Sequence, residues 1–194
     1  MSITLQPHDA LLVVDIQRDF LPGGALGVRG GDEIIPVLNR YIALARRHGI
    51  PVIATRDWHP ADHCSFRARG GPWPEHCVAH TPGAAFSPEL QLPEDAIVVD
   101  KATRADREAY STFSGTGLAE RLRKAGVKRV LIGGLATDYC VRYSTRDALA
   151  EGFQVLVLDD ATRPVDVQPG DGARAKEEMK AAGAVAVRYE DIAA

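Results

Sequence analysis

Ala10-Leu11-Leu12-Val13-Val14-Asp15 is the stretch that decides the architecture: an unbroken apolar run that stops at a carboxylate. Apolar residues without polar alternation describe a strand buried on both faces, the kind found in parallel sheets covered by helices. The same grammar continues outward. Residues 32–47 carry Ile34, Ile35, Leu38, Ile42 and Leu44 near helical spacing and stop at His48-Gly49, as helices do at a C-terminal glycine. Residues 51–55 read as a second strand and 97–99 as a third, ending at Asp100-Lys101. A helix at 118–125 is stopped by Gly126, and a fourth strand at 129–132 ends in Gly133-Gly134. Then follow a helix at 138–151, a fifth strand at 154–158, a helix at 173–182 and a short sixth strand at 184–187. Strands alternating with helices predict a doubly wound, three-layer α/β/α domain around a mostly parallel six-stranded sheet with right-handed crossovers. A length of 194 residues suits a single domain over 1–194.

Composition narrows the function. Hydrophobic residues make up 45% and charged residues 25%, with a net charge of -3, which is globular and argues against a nucleic-acid partner. No apolar run reaches the roughly 18 residues that span a bilayer, and residues 1–9 lack the basic and apolar regions of a signal peptide, so the expected compartment is the cytoplasm. Cys64, Cys77 and Cys140 are too few, and odd in number, for a disulfide framework. Whether copies of the chain associate into a homo-oligomer is left open.

Two segments break the rhythm, residues 56–94 and 101–117, and long loops in a compact domain are usually functional. In a doubly wound sheet the ligand lies beyond the carboxyl ends of the strands. Those ends deliver Asp15, Gln17, Asp19 and Phe20 from the first strand, Asp57 and His59 from the second, Lys101 from the third and Cys140 after the fourth.

Cys140 stands at the expected start of a helix, with Thr137 or Asp138 as N-cap. Helix N–H groups there favour a thiolate and can hold an oxyanion. A buried, inert helical cysteine fits the same position. Lys101, at the end of a buried strand, needs a partner. Beside a thiol it favours the thiolate, and Asp15 can take the thiol proton and hand it to a leaving amine. A plain Asp15–Lys101 ion pair is the competing reading.

Asp57-Trp58-His59 and the later His76 offer carboxylate and imidazole donors suited to Zn²⁺, Fe²⁺ or Mn²⁺. In an extended segment the Asp-x-His spacing directs both side chains to one side. His63-Cys64 with His76-Cys77 is an alternative structural zinc set, although its spacing matches no C-x₂-C pattern. His8, His48 and His80 read as ordinary surface or loop histidines.

Together these stretches resemble the nicotinamidase branch of the isochorismatase-like cysteine hydrolases. The matching pieces are Val14-Asp15-Ile16-Gln17-Arg18-Asp19-Phe20, Thr55-Arg56-Asp57-Trp58-His59-Pro60, Asp62-His63-Cys64-Ser65-Phe66, Trp73-Pro74-Glu75-His76-Cys77, Thr81-Pro82-Gly83-Ala84, Lys101-Ala102-Thr103, Glu108-Ala109-Tyr110-Ser111 and Gly134-Leu135-Ala136-Thr137-Asp138-Tyr139-Cys140-Val141. The resemblance implies a catalytic triad of Asp15, Lys101 and Cys140. It implies one divalent metal, zinc foremost and iron or manganese otherwise, on Asp57, His59 and His76. It further implies a cis Leu135–Ala136 peptide, an oxyanion hole from the N–H groups of Ala136 and Cys140, and a pocket for a flat ring lined by Phe20, Trp73, Tyr110 and Leu135. Some relatives use a residue matching His63 or Ser65 at the metal. The implied activity is hydrolysis of nicotinamide to nicotinate and ammonia through a Cys140 thioester, with pyrazinamide as a second substrate. Alternatives on the same fold are maleamate, ureidoacrylate or N-carbamoylsarcosine amidases, a non-catalytic metal-binding protein and a redox sensor using Cys140.

Overall fold

The structure, a computed structural model, describes residues 3–193. Its elements are β1 (Ile3–Thr4), β2 (Asp9–Val14), α1 (Ile35–Arg47), β3 (Val52–Asp57), β4 (Ile97–Lys101), α2 (Leu118–Lys124), β5 (Arg129–Leu135), α3 (Arg142–Ala150), β6 (Gln154–Arg163), α4 (Asp171–Ala181), β7 (Val185–Val187) and β8 (Ile192–Ala193). The main sheet has six strands in the order β4-β3-β2-β5-β6-β7, every pair parallel.

The first strand explains the layers. Side chains alternate across a strand, so Leu11 and Val13 face one core while Ala10, Leu12 and Val14 face the other. Against Leu11 and Val13 pack Leu38 and Ile42 of α1, whereas Leu122 of α2, Ala148 of α3 and Met179 of α4 close the opposite face. Leu131, Leu156 and Leu158 repeat the first face, and Val130, Ile132, Val155 and Val157 the second. A run with no polar position is therefore two half-buried faces read as one.

Several boundaries move, for physical reasons. The fourth strand runs through both glycines to Leu135, three residues past the expected end at Ile132. Gly134 permits this: at φ +129° a Cβ would sit 2.1 Å from Val14 O, so only glycine lets β5 stay beside β2 to its end. The fifth strand continues to Arg163. Asp32–Ile34 forms a 3₁₀ turn ahead of α1. Instead of an α-helix starting at 138, Thr137–Val141 forms a π turn that leads into α3.

Neither Thr137 nor Asp138 caps that turn. Thr137 Oγ1 bonds Thr162 Oγ1 at 2.7 Å, and the Asp138 carboxylate accepts the N–H groups of Val165 and Asp166, both at 2.9 Å. These side chains are recruited by the end of β6 and the loop after it, which compete with the cap. The sheet is also less covered than expected at its edges. β4 alternates half-buried and exposed residues up to the buried Lys101, with Val98 46% exposed, and Val185 of β7 is 53% exposed. The short parallel pair of β1 with β8 had no sequence signal. Among the described residues no helix is long and apolar enough to cross a membrane.

Candidate active site

The strand order reverses between β2 and β5, and a ligand crevice is expected beyond the carboxyl ends at that switch point. The chemistry gathers there. Asp15 follows β2 in a left-handed conformation, φ 52°, which turns the chain sharply at the crevice floor. Lys101 ends β4, Asp57 ends β3, and Cys140 lies in the π turn after β5. All four are almost fully buried: Asp15 0%, Lys101 1%, Asp57 5% and Cys140 5% exposed.

Lys101 is the hub. Its Nζ lies 3.0 Å from Asp15 Oδ2, donates to Asp57 Oδ1 and donates to Cys140 Sγ at 3.4 Å. A buried ammonium needs such compensation. Burial disfavours the charged lysine, but the carboxylates of Asp15 and Asp57 prevail and hold its pKa well above the usual value. Asp57 shows the converse: burial raises its carboxyl, yet Lys101 and His59 pull it well below the usual range. Asp15 is left raised, by burial first, despite Lys101 and a 2.7 Å hydrogen bond from Thr55 Oγ1.

The thiol departs from the sequence expectation. Burial, reinforced by the negative Asp15 and Asp57, raises the Cys140 pKa well above the ordinary thiol value, although Lys101 opposes this. Asp15 Oδ2 has no aligned hydrogen-bond donor, and carboxylate oxygens of Asp15 and Asp57 lie within 4.8 Å of Cys140 Sγ. A base thus waits beside the proton it would take. That trio is no metal site, because Lys101 Nζ already bonds its members.

The expected ligand set is assembled. Donor atoms of Asp57, His59 and His76 lie within 4.8 Å of one another, all buried. His76 Nδ1 is held by Pro74 O at 2.8 Å and His59 Nδ1 faces Ala102 O at 3.3 Å, which directs each Nε2 lone pair away from the backbone. His59 Nε2 is buried with no hydrogen-bond partner, 3.6 Å from Asp57 Oδ2. An orphaned imidazole nitrogen beside a carboxylate fits a divalent metal.

His63 and Ser65 have partners of their own. Ser65 Oγ bonds His63 Nδ1 at 2.7 Å, and His63 Nε2 meets Arg107 O at 3.1 Å. Both ring nitrogens are engaged, and the ring instead packs 4.1 Å from that of His59. Among the described residues Cys64 and Cys77 join no ligand cluster, and all three cysteines are free. His8, His48 and His80 are exposed.

A cleft of about 360 Å³ opens over Cys140 and Asp57. Phe20, Trp73 and Tyr110 line it together with Ala136, and Leu26, Tyr139 and Val165, which sequence reasoning missed, join them. Leu26 and Val165 belong to loops without periodicity, so no pattern marked them. Trp73 Nε1 donates to Tyr110 Oη at 3.0 Å, which ties two loops across the mouth. Burial pushes the Tyr110 hydroxyl pKa up to about 12. Leu135 is the correction: it is 1% exposed and packs in the core near Gly31, not in the cleft wall. The bonds of β5 to its neighbours fix its side chain towards the α1 layer. The Leu135–Ala136 peptide is cis. Tyr139 and Val141 N–H both donate to Ala136 O at 3.1 Å, whereas the N–H groups of Ala136 and Cys140 donate to no loop or side-chain acceptor among the described residues.

The class this defines is an α/β enzyme whose crevice pairs a buried thiol with a metal-type cluster. The chain belongs to the isochorismatase family, whose domain model matches residues 9–191. It is 39% identical over 206 aligned positions to the nicotinamidase of Escherichia coli, covering 95% of this chain and 97% of that one. Its fold superposes on the crystal structure of the pyrazinamidase of Pyrococcus horikoshii in complex with zinc, with a TM-score of 0.91, 56% identity and coverage of 94% of this chain and 100% of that one. The PnC1 protein of L. infantum in complex with nicotinate gives 0.92, 34% identity and coverage of 100% and 99%.

Proposed function

We propose that the chain is a nicotinamidase, a hydrolase of a linear amide C–N bond that converts nicotinamide to nicotinate and ammonia and accepts pyrazinamide as well. The observation that carries this reading is the Asp57 carboxylate, which faces the metal-type imidazole His59 on one side and the Lys101–Cys140 pair on the other. A site built this way favours a substrate with a ligating ring nitrogen and a nearby carboxamide. Its likeness to nicotinamidases and to a zinc-containing pyrazinamidase supports the same substrate and metal.

Asp57, His59 and His76 would hold a divalent metal, zinc foremost, which would supply Lewis acidity towards a pyridine nitrogen. Phe20, Trp73 and Tyr110 sandwich the flat ring and exclude water. This orients the carboxamide carbon towards Cys140 Sγ. The thiol proton passes to Asp15 as sulfur bonds to the carbon, and Lys101 balances the negative charge. The oxyanion is met by the N–H groups of Ala136 and Cys140. The C–N bond breaks as Asp15 returns the proton to the leaving nitrogen, and ammonia departs. Asp15 then takes a proton from water, the hydroxide adds to the thioester, and the C–S bond breaks. Sulfur recovers the proton from Asp15, and nicotinate leaves to enter pyridine nucleotide salvage.

The chain acts as one catalytic domain in the cytoplasm, where three unpaired cysteines stay reduced. Ammonia release from nicotinamide, with metal content measured on the same sample, tests the proposal. Turnover that requires both the metal and Cys140 is expected. No ammonia from the metal-loaded protein would overturn it.

A further inference from the structure

We infer that Gln17 is a positioning residue for the metal centre, standing in for the strand that β3 lacks at its final residue. β2 is bonded to β3 only as far as the Val14–Thr55 pair. Beyond it the chain turns away at Asp15, φ 52°, which leaves the β2-facing edge of Asp57 without a ladder partner. The Gln17 side chain fills that place. Its Oε1 accepts the Asp57 N–H at 2.7 Å and its Nε2 donates to Asp57 O at 2.8 Å, the two bonds that a neighbouring strand would supply. A second Nε2 hydrogen goes to Ala84 O at 3.0 Å, so the amide also fastens the return of the loop that carries His76.

The amide orientation is fixed by its partners. One N–H and two carbonyls surround it, and a flipped amide would set donor against donor. Gln17 is completely buried, and none of its bonds goes to solvent. Asp57 is thereby clamped through its backbone, with its carboxylate held towards both Lys101 and His59. Two residues on, Asp19 Oδ2 accepts the N–H of Cys77, next to His76, at 2.7 Å. The short segment after β2 therefore braces both parts of the ligand set, though none of its side chains belongs to that set. This inference rests on the reading of Asp57, His59 and His76 as metal ligands.

The test is zinc affinity, measured by chelator competition on the full chain well below its melting temperature. Folding is checked by circular dichroism. Gln17→Met keeps the volume and removes all three bonds. Partners behind metal ligands typically contribute about 10- to 100-fold in affinity, and a loss of that size is expected. Gln17→Glu, which keeps an acceptor for the Asp57 N–H but no amide donor, is expected to fall between Gln17→Met and the native protein, and it carries the test if Gln17→Met does not fold. Ser144→Ala removes an equally buried acceptor of a backbone N–H, that of Thr112, far from the cluster in sequence. It should lower the melting temperature and leave zinc affinity unchanged. Native affinity in both Gln17 variants, or an equal loss in Ser144→Ala, would overturn the inference. A native protein that retains no zinc would overturn the metal reading and this inference together.

Discussion

Lys101 donates to the carboxylate of Asp57, the same carboxylate that faces the His59 imidazole. One acidic side chain thus joins the thiol half of the crevice to the metal half. Lys101 reaches Asp15 and Cys140 from the same point, so its charge serves three neighbours.

Removing that charge should be costly. Lys101→Met leaves Asp15 and Asp57 as buried carboxylates with no cation between them. Breaking a buried pair costs about 3–5 kcal/mol, and urea unfolding of the metal-free protein should show a loss of that order. Unchanged stability would mean that the pair is poorly formed in solution.

Cys140→Ala should lower kcat for ammonia release by about 10⁴-fold or more while nicotinamide still binds. Asp15→Asn should fall comparably. Because the two act on one proton, the double variant should be hardly worse than either single one. Multiplicative losses in the double variant would contradict the shared proton path.

The acid limb of the kcat/KM profile reports the base in the free enzyme. Burial raises the Asp15 pKa above its ordinary 3.8, while the Thr55 hydroxyl lowers it. The base works ionised, so activity should rise with pH through a value above 3.8. Thr55→Val removes the stabilising donor and should move that limb to higher pH. A limb that stays in place or moves down in Thr55→Val would rule out Asp15 as its source.

Tyr110→Phe deletes the acceptor of the Trp73 indole N–H. The reacting groups are untouched, so KM should rise several-fold with kcat nearly unchanged, about 1 kcal/mol for one neutral hydrogen bond. Steady-state kinetics with saturating zinc would show it. A fall in kcat alone would instead place Tyr110 in the chemistry.

Thr145 is fully buried in α3 and its Oγ1 has no hydrogen-bond partner. Thr145→Val replaces the desolvated hydroxyl with a methyl of similar size. A gain of about 1 kcal/mol, or roughly 2–4 °C in Tm, is expected. A lower Tm by calorimetry would show that the hydroxyl has a partner after all.

The local signals were legible where one residue type carries its own constraint. Ala10–Val14 specified a two-sided strand because each of its positions is apolar, and the Asp57, His59 and His76 set was visible because few other side chains ligate a metal. Strand ends were less legible. Gly133-Gly134 reads as a turn in isolation, but β2 lies close enough that the glycines instead continue β5. Thr137 and Asp138 read as caps, but Thr137 found its partner at the end of β6 and Asp138 in the loop after it.

By itself, then, the sequence determined the α/β alternation and the residue types at the strand ends, since hydrophobic period and side-chain chemistry are local properties. Tertiary structure alone decided how those residues are used. It pushed the Cys140 thiol pKa up, because burial outweighs the lysine beside it. It turned Leu135 into the core, because the pleat of β5 sets the face of each side chain. It also gave Gln17 a task, because the partner Asp57 lacks is missing only once β2 has turned away at Asp15.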